Sequence, residues 1–224
     1  MLSLAVSLGL LAAIANLPPI PTYERGFITG ALLVGLAWAI SWAVWVTSGL
    51  SLRLNGAWAE DATNEVLKEQ PRVFAAIPSL KLEKGDIDAV AVTRSGVLAI
   101  ETKWMLRPNV QRLDDFAYRA ARDARTLRLL LRGQGLNDSA FVGVVAIWGP
   151  AAEGMKRHLR STPIGDVWVT GGHELDSLID ELPSAHIGPD YARTLVDHVR
   201  MQAETRDAAQ PGQTRLLRRL ARVR

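Results

Sequence analysis

A mixed α/β domain, with helices covering a central sheet and a transmembrane helical hairpin in front of it, is the architecture that three observations predict. The first 46 residues hold only two charged side chains, Glu24 and Arg25, whereas charge is dense from Arg53 onward. Beyond that break, apolar residues recur at helical spacing in some segments and as β-branched runs in others. These segments follow the order helix, three strands, helix, two strands, helix, which a sheet with helices on its faces requires.

The chain of 224 residues, 48% hydrophobic, is long enough for one ordinary domain with its own core and an extra part besides. It has no cysteine, which excludes disulfides and thiolate metal sites and leaves both sides of a membrane open. A formal charge of +3 and a pI near 9.5 permit an anionic partner but are close to background for this size.

The extra part is N-terminal. Gly26 to Val46, "GFITGALLVGLAWAISWAVWV", runs 21 residues without a charge, enough for a helix of about 30 Å that crosses a bilayer core. Trp38, Trp42 and Trp45 recur toward its end, where an indole favours the headgroup boundary. Leu2 to Leu17 is also uncharged but spans only roughly 24 Å as a helix, so it borrows from Pro18 to Ile20. Ala13-Ile14-Ala15 resembles a signal-peptide cleavage site, yet no basic residue precedes the apolar run and a second membrane-length segment follows at once. The expected unit is therefore a hairpin over residues 1–48, with helices at about 2–20 and 26–46 joined by the stiff "PPIPTYER". Its basic flanks are too thin to orient it by charge; the chemistry below places the soluble part in the cytoplasm, on a multi-pass protein of the inner membrane.

Residues 49–55 are expected to be a linker, 56–186 the main domain, and 187–224 a C-terminal helix and tail. Gly56 to Gln70 has a helical apolar period through Trp58, Ala62 and Val66, stopped by Pro71. "RVFAAIP", residues 72–78, reads as a short strand. Ile87 to Thr93 and Val97 to Lys103 form a hairpin about Arg94-Ser95-Gly96. A helix from about Leu113 to Leu131 carries Phe116, Ala120, Ala124, Leu127 and Leu131 on one stripe. Its arginines Arg119, Arg122, Arg125 and Arg128 form either a phosphate-facing row or a solvated face. "AFVGVVAIWG" (140–149) is continuously apolar, as a strand buried on both faces is; "DVWVTG" (166–171) is another strand and "GHELDSLIDEL" (172–182) a helix. A polar helix spans about Pro189 to Asp207. In the tail beyond Pro211-Gly212, Arg215, Arg218, Arg219 and Arg222 oppose Leu216, Leu220 and Val223, an arrangement suited to anionic lipid, to phosphates, or to a frayed end.

The hairpin carries the chemistry. Side chains alternate along a strand, so Glu101 and Lys103 share a face, about 6 to 7 Å apart. A two-residue turn puts Asp88 on that face too, opposite Glu101 if Arg94-Ser95 is central, or opposite Lys103 if Ser95-Gly96 is, whereas a three-residue loop brings Thr102 opposite it unless a bulge restores the register. One ion pair would explain one acid; a second carboxylate repels the first unless a cation lies between them. Mg²⁺ is held by one or two carboxylates with water and phosphate, and the lysine would orient or deprotonate an attacking water or stabilise charge on phosphorus. His158, His173, His186 and His198 show no metal-ligand spacing, and no phosphate-binding glycine pattern occurs.

Asp88 followed thirteen residues on by Glu101-Thr102-Lys103, inside strand-turn-strand, resembles the PD-(D/E)XK nuclease superfamily. "GDIDAVAVTRSGVLAIETKW" is similar, more narrowly, to the nuclease-related domain (NERD) family. "GAWAEDATNEVL" resembles that family's opening helix, with Glu60 at its acidic position and Ala59 in place of a glycine. "RAARDARTLRLLL" resembles its later helix, with Arg119 in place of a glutamine, and the segments to Leu182 resemble its closing strands and helix. The resemblance implies a restriction-endonuclease-like sheet. It also implies Mg²⁺ held by Asp88 and Glu101 with a further contact from Glu60, and Lys103 positioning the nucleophilic water. The reaction would be hydrolysis of a nucleic-acid phosphodiester, most simply DNA. The alternatives are a membrane-tethered module that binds or senses nucleic acid without turnover, and a membrane scaffold whose soluble domain is an interaction surface.

Overall fold

A computed structural model describes residues 22–47, 49–82 and 85–208. The chain divides into two compact units, Met1–Leu54 and Asn55–Arg224. In the first unit, α1 (Thr22–Thr47) contains Gly26–Val44, long and apolar enough to cross a membrane. Its side chains Phe27, Leu33, Val34, Trp38 and Trp42 are exposed, and Trp38 stacks on Trp42 with centroids 6.1 Å apart. The helix expected at about 2–20 and the arginine-rich tail after 208 lie outside the described residues, so the hairpin is not shown.

Helix α2 spans Leu50–Glu69. It begins before Gly56, and residues 50–55, expected to be a linker, are helical. No proline or β-branched residue interrupts "LSLRLN", so nothing in the segment resists helix. Strands β1 (Val73–Leu82), β2 (Gly85–Thr93) and β3 (Gly96–Trp104) follow, then α3 (Val110–Leu130), β4 (Phe141–Trp148), β5 (His158–Thr162), β6 (Gly165–Gly171), α4 (Leu175–Glu181) and α5 (Pro189–Ala208). The sequence pattern predicts no strand at β5. "HLRST" is a short, largely exposed edge strand, and such a strand has no buried face to impose an apolar alternation.

The six strands lie in the order β1-β2-β3-β4-β6-β5. Neighbours are antiparallel from β1 to β3, parallel from β3 through β4 to β6, and antiparallel at β5. The central β4 is buried from Gly143 to Ile147, as its unbroken apolar run requires. The β2–β3 turn has Arg94 and Ser95 at its centre, because Thr93 pairs with Gly96. Gly96 is obligatory there: its φ is +142°, and a Cβ would lie 2.2 Å from the Ala140 carbonyl oxygen.

Alternation along the strands divides the core into two layers. Val90, Val92, Val97 and Ala99 pack under Ala124, Leu127 and Leu130 of α3 and Leu195, Val196 and Val199 of α5. Ala89, Ala91, Leu98 and Ile100 face the other way, onto Leu67 of α2 and Leu175, Leu178 and Ile179 of α4. The C-terminal helix, set apart from the domain in the sequence, is thus part of its core. Its residues Ala192, Leu195, Val196, Val199 and Ala203 recur at helical spacing and form the buried face that meets β1 and β2.

Leu127 is fully buried where α3, α5 and the sheet meet. Leu127→Ala is expected to cost about 3 kcal/mol of unfolding free energy, read as a lowered urea midpoint of the full-length protein at unchanged slope.

Candidate active site

The face of β2 and β3 that packs under α3 is apolar until it nears the carboxyl end of β3, where Glu101 and Lys103 replace the valine and alanine that precede them. Pairing of Ala89 with Ile100 brings Asp88 beside Glu101, the first of the registers the hairpin allowed. All three side chains share this face. Helix α3 adds Phe116, whose ring centroid is 5.9 Å from the Lys103 ammonium, and Arg119, whose guanidinium is 3.9 Å from Glu101.

Three oxygens close on Lys103 Nζ. It donates to Asp88 Oδ2 at 2.7 Å and to the Thr102 carbonyl at 2.8 Å, and it lies 3.0 Å from Glu101 Oε1. Asp88 Oδ2 also accepts from the Thr102 backbone N–H at 2.8 Å, which pins the carboxylate to β3. Glu101 is 4% exposed, so its charge depends on neighbours rather than on water.

Burial pushes the Glu101 carboxyl above the ordinary range, Lys103 pulls it down, and Asp88 pushes it up again. For Lys103, burial alone would lower its pKa, but Glu101 and Asp88 outweigh that and hold the ammonium charged. Glu60, on α2, is exposed; burial of part of its side chain raises its pKa, Asp88 raises it further and Lys103 lowers it. It therefore joins the cluster through its field rather than by contact.

Asp123 is not among the residues that the sequence pattern singles out. It is 4% exposed, it accepts from Arg122 at 3.0 Å, and burial raises its pKa against the pull of Arg122, with Asp88 adding to the rise. Its position was nonetheless legible, because 123 falls between Ala120, Ala124 and Leu127 on the buried stripe of α3. The arginine row divides. Arg119 and Arg122 turn to the carboxylates, whereas Arg125 and Arg128 line a cavity of about 430 Å³ with Phe141 and Pro163 to Asp166. An i, i+3 series drifts around a helix by about 60° per step, which is why a row in sequence is not a row in space.

Helix α2 is tied to the site strand by Thr63, fully buried, whose hydroxyl accepts from Thr102 Oγ1 at 3.1 Å and from Trp148 Nε1 at 2.8 Å. This contact fixes the height of Glu60, one turn earlier. Among the described residues no three His, Cys, Asp or Glu side chains form a ready-made metal group. The centre instead offers two carboxylates and a peptide carbonyl, already converged on a cation. That set suits Mg²⁺, which takes few protein oxygens and keeps its waters.

Residues 55–146, from α2 through β4, match the family model of the nuclease-related domain, NERD, a PD-(D/E)XK-like nuclease domain. No curated protein and no solved structure matches the chain.

The raised pKa of Asp123 has a sign that can be checked. A carboxyl whose pKa is higher folded than unfolded contributes stability below its unfolded pKa and loses it as pH rises through the folded one. Ionised Asp123 therefore weakens the fold at neutral pH. Asp123→Asn is expected to melt above wild type at neutral pH, with the margin closing as pH falls into the carboxyl range. A lower melting temperature at neutral pH would contradict this.

Proposed function

We propose that the nuclease-related domain at residues 55–146 belongs to a membrane-anchored, Mg²⁺-dependent hydrolase of nucleic-acid phosphodiester bonds, acting on DNA. The observation that carries this reading is the convergence of Asp88 Oδ2, Glu101 Oε1 and the Thr102 carbonyl on one cation, the Lys103 ammonium, at 2.7, 3.0 and 2.8 Å. Asp88, Glu101 and the Thr102 carbonyl would hold Mg²⁺, with Glu60 contributing from α2. When bound, the ion supplies a Lewis acid for the phosphoryl oxygen and a more acidic water.

The chain's own groups divide the remaining work. Lys103, kept charged by its two acids, is a donor rather than a proton acceptor: it orients the attacking water and offsets charge gathering on the phosphate oxygens. Arg119, 55% exposed at its side chain, balances Glu101 on one side and stays open to a phosphate on the other. Anchoring falls to Gly26–Val44, and the domain lies on the cytoplasmic side of the inner membrane, where nucleic acid is found.

One observation favours a second reading. The ammonium itself fills the place a metal would take, so the site is electrically closed without an ion, as in a tethered module that binds nucleic acid and does not turn it over.

Labelled DNA and RNA incubated with the detergent-solubilised full-length protein, with Mg²⁺ or with chelator, separate the two readings. Metal-dependent cleavage is expected, and Lys103→Ala and Glu101→Gln are each expected to slow it by at least about 100-fold without changing the circular dichroism spectrum. Binding without cleavage under any divalent ion would establish the second reading. A reporter active only in the cytoplasm, fused after Arg224, is expected to be active; silence would reverse the orientation.

A further inference from the structure

Where β3 and β4 end, three tryptophans meet. Trp104 and Trp148 are partners across the two parallel strands. Trp58 of α2 packs edge-to-face against both, with centroids 5.3 and 5.6 Å away and planes inclined by 85° and 86°. The backbone gives up side chains to seat them. A Cβ on Gly149 would lie 2.8 Å from the Trp104 ring, and one on Gly172 would lie 2.1 Å from the Trp148 ring. Trp148 is locked further by its hydrogen bond to Thr63.

Trp58, clamped by these two rings, nevertheless keeps 54% of its surface exposed. Its ordering is complete before any ligand arrives, so a flat partner laid on it loses little conformational freedom in the protein. The cluster lies on the opposite face of the sheet from the carboxylates, at the same end of β3: Thr63 joins Trp148 to Thr102, the residue between Glu101 and Lys103, and Glu60 of the same helix lies within the field of Asp88 and Lys103.

A flat π-faced group attached to a phosphodiester backbone is a nucleobase. In a duplex its faces are covered by its neighbours; a single strand or a frayed end offers one free. We propose that Trp58, seated on Trp104 and Trp148, is a stacking site for an unpaired base of the substrate strand, so that the preferred substrate is single-stranded or frayed nucleic acid. This rests on the reading of the neighbouring centre as one that handles nucleic acid.

The test uses the full-length protein in detergent with chelator present, so that nothing is cleaved. Fluorescence anisotropy compares a labelled short oligothymidylate with an abasic sugar–phosphate strand of the same length. Oligothymidylate is expected to bind about tenfold more tightly than the abasic strand. Trp58→Ala is expected to erase that margin by weakening oligothymidylate binding, while Trp58→Phe, which keeps a ring, retains part of it. A wild type that does not distinguish the two strands, or a margin unchanged in Trp58→Ala, overturns the proposal. Brominated phospholipid that quenches wild-type indole emission more than that of Trp58→Ala, with the margin equal in both, assigns the ring to a bilayer and also overturns it. Cleavage with Mg²⁺ but no margin sinks the stacking site alone. A margin without cleavage supports stacking and sinks the hydrolase reading alone.

Discussion

Two carboxylates from adjoining strands, and the carbonyl between Glu101 and Lys103 in sequence, share a single ammonium. Remove that cation and the arrangement fails, since Glu101 is almost wholly shielded from water and Asp88 lies beside it. The same physics makes the centre receptive. Oxygens held together by the fold against their mutual repulsion are a site for positive charge, which the Lys103 ammonium fills.

Much of the fold serves to hold those oxygens still. The two-residue turn at Arg94-Ser95 sets the register that puts Asp88 next to Glu101, and Gly96 allows that turn against the Ala140 carbonyl. The Thr102 N–H then fastens Asp88 to β3. On the opposite side of the sheet, Thr63 takes hydrogen bonds from Thr102 and Trp148, tying α2, with Glu60 and Trp58, to the same strand. Helix α3 closes the face and brings Arg119 and Asp123, so the charges around the centre come from four elements, α2, β2, β3 and α3.

The legible parts of this arrangement and the illegible ones differ in range. Asp88, Glu101 and Lys103 stood out because charged residues in an apolar hairpin contradict the strand pattern around them, and period-two alternation confined them to one face. Asp123 sat on the apolar stripe of α3 but was hidden by the arginines around it. The equal spacing of Arg119, Arg122, Arg125 and Arg128 suggested one row, and helical drift split it in two. The helical start of α2 at Leu50 and the edge strand β5 were unreadable because neither has a buried face that would stamp a period on its residues.

The sequence by itself determined the long apolar segment ahead of a mixed α/β domain, the strand and helix order around the hairpin, and the three ionisable groups at its centre. These are local properties, set by side-chain periodicity and by the cost of placing charge in an apolar run. Tertiary structure alone decided which hairpin register holds, that the Thr102 carbonyl joins the two acids, that the C-terminal helix closes the core, and that Trp58, Trp104 and Trp148 meet. Each of these depends on segments distant in the chain coming together. No window of sequence encodes which turn will seat a ring on a glycine or which helix will lend a carboxylate, because that outcome is fixed by the packing of whole elements against one another.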